Sequence, residues 1–378
     1  HPLGSRISKG NRTSLRGLNV CLNVSGVHKE FLSKRIFVNF DVPLAANEEE
    51  KEVMDFQVLV RGSGSMGSRY LQLFQDELGI SPIVFPKRNE RLVELTGRGF
   101  QVIKDLAELD RSSPVYSIVA TDTSEHLEDV KALSPYGRVL VEKPLTSSMR
   151  ELKNFRKDTD LKTSSLSVAF CWRFSLAAEF VRKKVECLGQ IHQVRIECSS
   201  FLPEWRPGTA YKRSYSTKAG QGGVLRDLAH EIDYATWIFG YPEEVLGVLS
   251  NSGYLGIEAE ESADLLWITP DGVTVSLRLD YLSKHPVRFL KASGERGDVT
   301  WNLLESTVLV QMEDGSEQKH KFKDDRNLML LRQINAFLGL PDATGTLASF
   351  EEGAKVVALS DAARTSSSSK TWQSASYL

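Results

Sequence analysis

The chain has 378 residues, 41% hydrophobic and 25% charged, with a net charge of −2. That length suits two domains, each able to bury a core, and the near-neutral balance gives no electrostatic basis for a nucleic acid or an anionic membrane as partner. No apolar run approaches the roughly 20 residues of a membrane span, and Cys21, Cys171, Cys187 and Cys198 form neither a CxxC pair nor a metal-ligand spacing, so a reduced, cytoplasmic protein without a metal is expected.

The opening HPLGS reads as a tag remnant, and NRTS at 11–14 fits a glycosylation sequon with no secretory signal before it. Alternation at Val20, Leu22 and Val24, and again at Ile36, Val38, Phe40 and Val42, predicts two short strands. The acidic run NEEEKE at 47–52 reads as a linker, with a native start near Met54. From there short apolar strands (FQVLV, PIVF, VYSIVA, GRVLVEKP) alternate with amphipathic helices (SRYLQLFQDEL, ERLVELTGRG, SEHLEDVKAL). That alternation predicts a parallel sheet covered on both faces.

Between the first strand and helix stands Gly62-Ser63-Gly64-Ser65-Met66-Gly67, a GxGxxG. The first glycine permits the tight turn, the second lets backbone approach a pyrophosphate, and the third allows close helix–strand packing at a helix N-terminus. At the second strand's tip an NAD site usually carries an acid; here FPKRNE offers Lys87 and Arg88. Two cations suit a 2′-phosphate, so NADP is preferred and NAD remains an alternative, a solvated basic turn being the bland reading.

After about residue 173 strand-like runs follow one another (HQVRIECSSF, EVLGVLS, SADLLWIT, GVTVSLRLDYL), with Asp271-Gly272 marking a hairpin turn. Helices are predicted over 224–239, over 326–339 before Gly339-Leu340-Pro341, and from Ser349, where Glu352 completes a capping box. The expected division is 1–53 tag remnant and extension, 54–172 an α/β Rossmann domain, 173–366 an α+β domain on a mostly antiparallel sheet, and 367–378 a frayed tail after the serines at 366–369.

In the helix at 224–239, Leu225, Leu228, Ala229, Ile232, Ala235 and Phe239 gather on one stripe at 100° per residue. On the same continuous helix Asp227 and His230 lie ~60° apart on the opposite side, with Tyr234 and Trp237, as if lining a cleft. A histidine suits proton transfer near neutral pH, and a nearby carboxylate can orient it or grip a substrate hydroxyl.

The ordered set GxGxxG, Glu142-Lys143-Pro144 at a strand end, and GG…Asp227…His230 resembles the glucose–fructose oxidoreductase and inositol dehydrogenase (Gfo/Idh/MocA) family over about residues 54–366. LPEWRPGTAYKRSYS followed by GGVLRDLAHEID is similar to a branch associated with bacterial surface-sugar pathways. The resemblance implies a Rossmann domain followed by a large open sheet that serves as a homodimer or homotetramer interface. It also implies hydride transfer between nicotinamide and a carbohydrate. It assigns Lys143 to the reacting hydroxyl and Glu142 to the cofactor's side, with a cis peptide before Pro144. It places Thr121 and His126 in the loop beside the cofactor and Arg173 in the segment entering the second domain, also toward the cofactor. A helix-surface role stays open for His126.

His230 is the expected acid/base and Asp227 its supporting or substrate-binding partner, with proton transfer divisible between His230 and Lys143. Much of the family spaces this pair by four; DLAH has three, and Asp227 is the shifted member. Asp233 either orients the ring or is solvated. Trp205, Arg206, Tyr211, Lys212 and Arg213 are candidates for stacking on a sugar and for holding its phosphate or carboxylate. The function expected is an NAD(P)-dependent dehydrogenase or reductase of a sugar, sugar phosphate, sugar acid or nucleotide sugar. The alternatives are a non-catalytic nucleotide- or sugar-sensing protein and an NAD-dependent glycoside hydrolase.

Overall fold

The computed structural model describes residues 56–88, 90–157, 163–205, 208, 210–220, 222–341 and 343–377. The strands expected at 20–24 and 36–42, the linker and the start near Met54 lie outside the described residues, as does Arg206.

The strand–helix alternation folds as β1 (Gln57–Arg61), α1 (Ser65–Asp76), β2 (Ile83–Phe85), α2 (Arg91–Gly97), β3 (Gln101–Val102), β4 (Val115–Val119), α3 (His126–Leu133), β5 (Val139–Glu142), α4 (Met149–Lys157) and β6 (Leu166–Ala169). These strands pair in parallel in the order β6-β5-β4-β1-β2-β3. The order reverses beside β1, so a crevice opens where the glycine loop leaves that strand. Apolar runs such as Val58-Leu59-Val60 are buried on both faces, as a covered parallel sheet requires.

The second half contributes α5 (Leu176–Val185), β7 (Ile191–Phe201), α6 (Val224–Asp227), α7 (Ala229–Phe239), β8 (Glu244–Ser250), β9 (Ser262–Ile268), β10 (Thr274–Asp280), β11 (Leu282–Gly294), β12 (Gly297–Asn302), β13 (Thr307–Met312), β14 (Glu317–Lys321), α8 (Arg326–Leu338), β15 (Ala348–Ser349), α9 (Phe350–Ser369) and β16 (Gln373–Ser374). Nine of its strands form one sheet in the order β14-β13-β12-β11-β7-β10-β9-β8-β16. Only β10 and β7 pair in parallel. Gly272, at φ +80°, turns the β9–β10 hairpin as expected from Asp271-Gly272. Helix α9 packs along β8, where the Ser366 and Ser367 hydroxyls accept hydrogen bonds from the backbone N–H groups of Gly247 and Leu249.

Three details depart from the sequence reading. The stretch after 366 is no frayed tail: α9 continues to Ser369, Ser366 is fully buried, and β16 adds to the edge of the second sheet. The second half also returns to the first sheet, because β15 pairs antiparallel with β6 and α8 buries Met329, Leu330, Ile334 and Phe337 in a core shared with Tyr70 and Phe74. Finally, the helix expected over 224–239 is broken at Leu228, whose φ/ψ of −99°/30° ends α6 and starts α7. A helical wheel across Asp227 and His230 therefore misplaces one relative to the other. Tyr234 and Trp237 line no cleft: Tyr234 is buried against Trp301, and Trp237 stacks under Arg173 and Arg182.

Candidate active site

The glycine loop is built as its sequence requires. Gly62 adopts φ +95°, and a Cβ there would meet the Ala120 carbonyl oxygen at 2.7 Å. A Cβ at Gly67 would lie 2.2 Å from the Gly62 oxygen, while one at Gly64 would meet nothing within 4 Å. Two glycines thus seal the turn, and the middle one faces open space at the N-terminus of α1. That space, with unpaired helix N–H groups at its floor, fits a pyrophosphate.

Two adjoining hollows run from this loop. The smaller, about 200 Å³, is bordered by Gly62, Gly64, Lys87, Arg88, Arg91 and Glu125. The larger, about 450 Å³, brings together Gly64, Ser65 and Met66 with Thr121, His126, Glu142, Lys143, Trp205, His230 and Arg326. Gly64, Ala120, Thr121 and Asp122 border both. One continuous groove therefore links the dinucleotide loop to the Lys143 and His230 side chains.

The tip of β2 is less cationic than its sequence suggests. Lys87 Nζ lies 3.2 Å from Glu125 Oε1 and 3.6 Å from Asp129 Oδ1, and Asp129 also pairs with Arg61. Arg88 is exposed beside it. Arg91, at the start of α2, donates to the Ser63 carbonyl in the glycine loop at 3.1 Å and is bridged to Glu94.

His126 is buried, with Nδ1 2.9 Å from the Pro144 oxygen and Nε2 3.2 Å from the Thr121 oxygen. It stitches the β4 loop to the Glu142-Lys143-Pro144 turn, so the helix-surface alternative is set aside. Burial lowers its pKa against the opposing pull of those carbonyls. The Lys143–Pro144 peptide is cis. Glu142 accepts a 2.7 Å hydrogen bond from Tyr70, and burial raises its pKa while Tyr70 and Lys143 oppose that rise. Tyr70 gave no signal in sequence because it falls on the buried face of α1, where an aromatic reads as core.

Lys143 Nζ donates to the backbone oxygen of Asp227 at 2.6 Å. The Asp227 carboxylate points elsewhere. Its Oδ2 accepts from Tyr281 at 2.7 Å, and its Oδ1 is buried with no hydrogen-bond partner among the described residues. Asp227 does not border the groove, so its expected part as a substrate-binding carboxylate is corrected to that of a backbone anchor for Lys143. Tyr281 also carries Trp205 edge-on at 5.3 Å, and Trp205 lines the groove. Tyr281, missed in the sequence, thus supports both sides of the site.

His230 lines the groove with its ring edge-on to Phe170. Its pKa is driven well below the usual value by burial, and further by Lys143, Arg288 and Arg326. The ring is neutral at neutral pH and able to accept a proton. Neither acid orients it: its Nδ1 has no hydrogen-bond partner among the described residues. Asp233 instead forms a bidentate pair with Arg173, whose other amine reaches Glu352.

Arg173 is therefore not a cofactor ligand. It is 2% exposed, borders neither hollow, and serves as the shared cation of two carboxylates. Tyr211 donates to the Leu255 carbonyl and Lys212 packs beside Gly256; neither reaches the groove. Of the described candidates in that loop, Trp205 alone lines it. The groove also contains Cys171, whose thiol burial pushes up to about 11, and the arginines Arg69 and Arg326. Among the described residues no group of three or more His, Cys, Asp or Glu side chains is placed to hold a metal, and no helix is long and apolar enough to cross a membrane.

Comparison with known proteins agrees with this architecture. Residues 180–300 match the family model described as the GFO/IDH/MocA C-terminal domain. Among solved structures, levoglucosan dehydrogenase in complex with NADH superposes with a TM-score of 0.73 at 18% identity, covering 85% of this chain and 100% of that one. An oxidoreductase domain protein from Kribbella flavida gives 0.71 at 17%, covering 85% and 100%. An oxidoreductase from Agrobacterium radiobacter, in complex with NAD+, L-tartaric acid and magnesium, gives 0.71 at 17%, covering 85% and 98%. No protein of curated function matches the sequence. The match to the Gfo/Idh/MocA C-terminal domain thus covers residues 180–300, and the described chain has the fold of the Gfo/Idh/MocA oxidoreductases.

Proposed function

We propose that this protein is an NAD(P)-dependent oxidoreductase that interconverts a secondary alcohol and a ketone on a sugar or sugar acid. The observation that carries this reading is the single groove joining the glycine loop at Gly64 to Lys143 and His230. A nicotinamide dinucleotide supplies a hydride acceptor or donor. Gly62, Gly64 and Gly67 shape its phosphate seat, and Thr121, His126 and Glu142 border the space beyond.

The chain's own chemistry follows from the two groups at the groove's end. One Lys143 donor is committed to the Asp227 carbonyl, which leaves two to grip the substrate oxygen. As a C–H bond loses its hydride, that oxygen gains negative charge, which an ammonium stabilises. The oxygen's proton passes to His230, kept neutral by burial and by its cationic neighbours. Trp205 offers a ring face suited to the C–H side of a sugar. Levoglucosan dehydrogenase has also been solved in complex with NADH and levoglucosan, and the Agrobacterium radiobacter oxidoreductase with L-tartaric acid, which supports a small hydroxylated substrate here.

The cofactor reading keeps NADP ahead of NAD, now on the exposed Arg88 rather than on Lys87, whose charge is already answered by Glu125 and Asp129. The exposed Val248 and Ile268 on the second sheet support a homo-oligomer built across that face. The decisive experiment screens sugars, sugar acids, sugar phosphates and nucleotide sugars with NAD and NADP at the nicotinamide absorbance. Lys143→Ala and His230→Ala should each lower turnover by about 10²–10⁴-fold while leaving NADH fluorescence titrations nearly unchanged. Full activity in both variants would sink the assignment. Dinucleotide binding without turnover on any substrate would favour a sensor instead.

A further inference from the structure

One part of the groove is not explained by proton transfer at Lys143 and His230. Arg69, one turn into α1, and Arg326, the first residue of α8, both line the groove beside Ser65 and Met66. Neither has a carboxylate within ion-pairing distance among the described residues. Arg69 donates to the Asn327 side chain at 2.8 Å, and Arg326 Nη2 lies 3.2 Å from the Met66 sulfur. The two guanidinium groups are close enough to repel: burial and then the charge of Arg326 lower the pKa of Arg69.

Such a pair is costly to hold together unless an anion sits between or beside it. Its position says which anion. The arginines flank the first turn of α1, where the open space at Gly64 and the free helix N–H groups already favour a phosphate. His230 and Lys143 border the same hollow, and the charge of Arg326 reaches His230 as well, but its close contact is Met66 beside the glycine loop.

We infer that Arg326 and Arg69 form a guanidinium clamp on the diphosphate of the bound dinucleotide, with Arg326 delivered by a helix encoded about 260 residues after the glycine loop. This rests on the proposed function and adds residues that lie outside the GxGxxG. The clamp is set in advance. Asp325 caps α8 by accepting from the N–H groups of Asn327 and Leu328, and the apolar face of α8 is buried in the core that also holds Tyr70 and Phe74. Arg69 is tied to the same helix through Asn327. Guanidinium groups held in this way match phosphate oxygens bidentately, which an ammonium does not.

The test is a fluorescence titration with NADH alone, without substrate, on the full chain. Arg326→Gln should raise the Kd for NADH by about 10–100-fold, and Arg326→Lys should recover only part of that loss. Arg69→Gln combined with Arg326→Gln should cost less than the product of the single effects, because both act on one diphosphate. Thermal melting without ligand should shift little, since Arg326 is exposed and its close contact is a thioether. An unchanged Kd in Arg326→Gln overturns the clamp, whatever happens to turnover. An equal loss of ligand-free melting temperature and affinity, with no recovery in Arg326→Lys, also overturns it in favour of a packing role. If the unaltered protein binds neither NADH nor NADPH, the function itself fails, and the two failures are thereby told apart.

Discussion

At the scale of single residues, the site divides labour between a side chain and a backbone atom where the sequence offered only side chains. His230 has the environment of a base: half-buried in the groove wall, near the cations Lys143, Arg288 and Arg326, and held neutral. A base must be unprotonated to act, and its lowered pKa means that the active form persists through the neutral range. The acid limb of kcat/KM for alcohol oxidation should therefore fall below the ordinary histidine value of about 6.5. A pH–rate profile with its acid midpoint at or above that value would contradict the assignment. Asp227 makes an opposite kind of prediction. Its carbonyl, not its carboxylate, holds Lys143, and an asparagine can still accept from Tyr281. Asp227→Asn should then cost less than about tenfold in kcat, against the 10²–10⁴-fold expected of Lys143→Ala. Losses of equal size would return the carboxylate to the chemistry.

At the scale of elements, the glycine loop shows what a local motif can and cannot reveal. GxGxxG between β1 and α1 stated its own geometry, since each glycine answers a backbone requirement confined to a few residues. Gly67→Ala would force a methyl against the Gly62 oxygen, at 2.2 Å without relaxation. It should destabilise the fold by about 1–3 kcal/mol through overpacking and weaken NADH binding, measured by chemical denaturation and fluorescence titration on the same samples. The alternation of strands and helices, the hairpin at Gly272, the α8 stop at Gly339 and the capping box at Ser349 were legible for the same reason: their causes are near in sequence. The break at Leu228 was not. DLAHEID has the periodicity of an uninterrupted helix, and no proline or glycine marks the interruption. The backbone of Asp227 is instead held from outside by Lys143, 84 residues earlier. Arg326, Tyr281 and Arg69 escaped notice likewise, because only tertiary folding brings them to the groove.

At the scale of the whole molecule, Arg173 shows how the two halves are bound together, and it separates a structural from a functional reading of one position in the fold. It sits in the connection that leaves β6, reaches Asp233 on α7 with two nitrogens, and reaches Glu352 in the first turn of α9 with the third. Helix α9 itself spans both halves, packing along β8 while β15 just before it joins the first sheet. Asp233 is fully buried, and burial raises its carboxyl to about 6 even with Arg173 opposing. Arg173→Met would leave that carboxylate uncompensated, at a cost of about 3–5 kcal/mol near neutral pH. The sign of the pH dependence follows. Without the guanidinium the folded pKa of Asp233 rises further above its unfolded value of about 3.9, so the folded state binds the extra proton. The variant's deficit should thus shrink as the pH is lowered through the raised pKa and grow as it is increased. Adding Asp233→Asn should recover part of the loss by removing the buried charge. Because Arg173 borders neither hollow, folded Arg173→Met protein should bind NADH nearly as the unaltered protein does. Thermal denaturation across pH, paired with NADH titration, checks both halves of this expectation. Weakened NADH binding at unchanged stability would restore Arg173 to the cofactor.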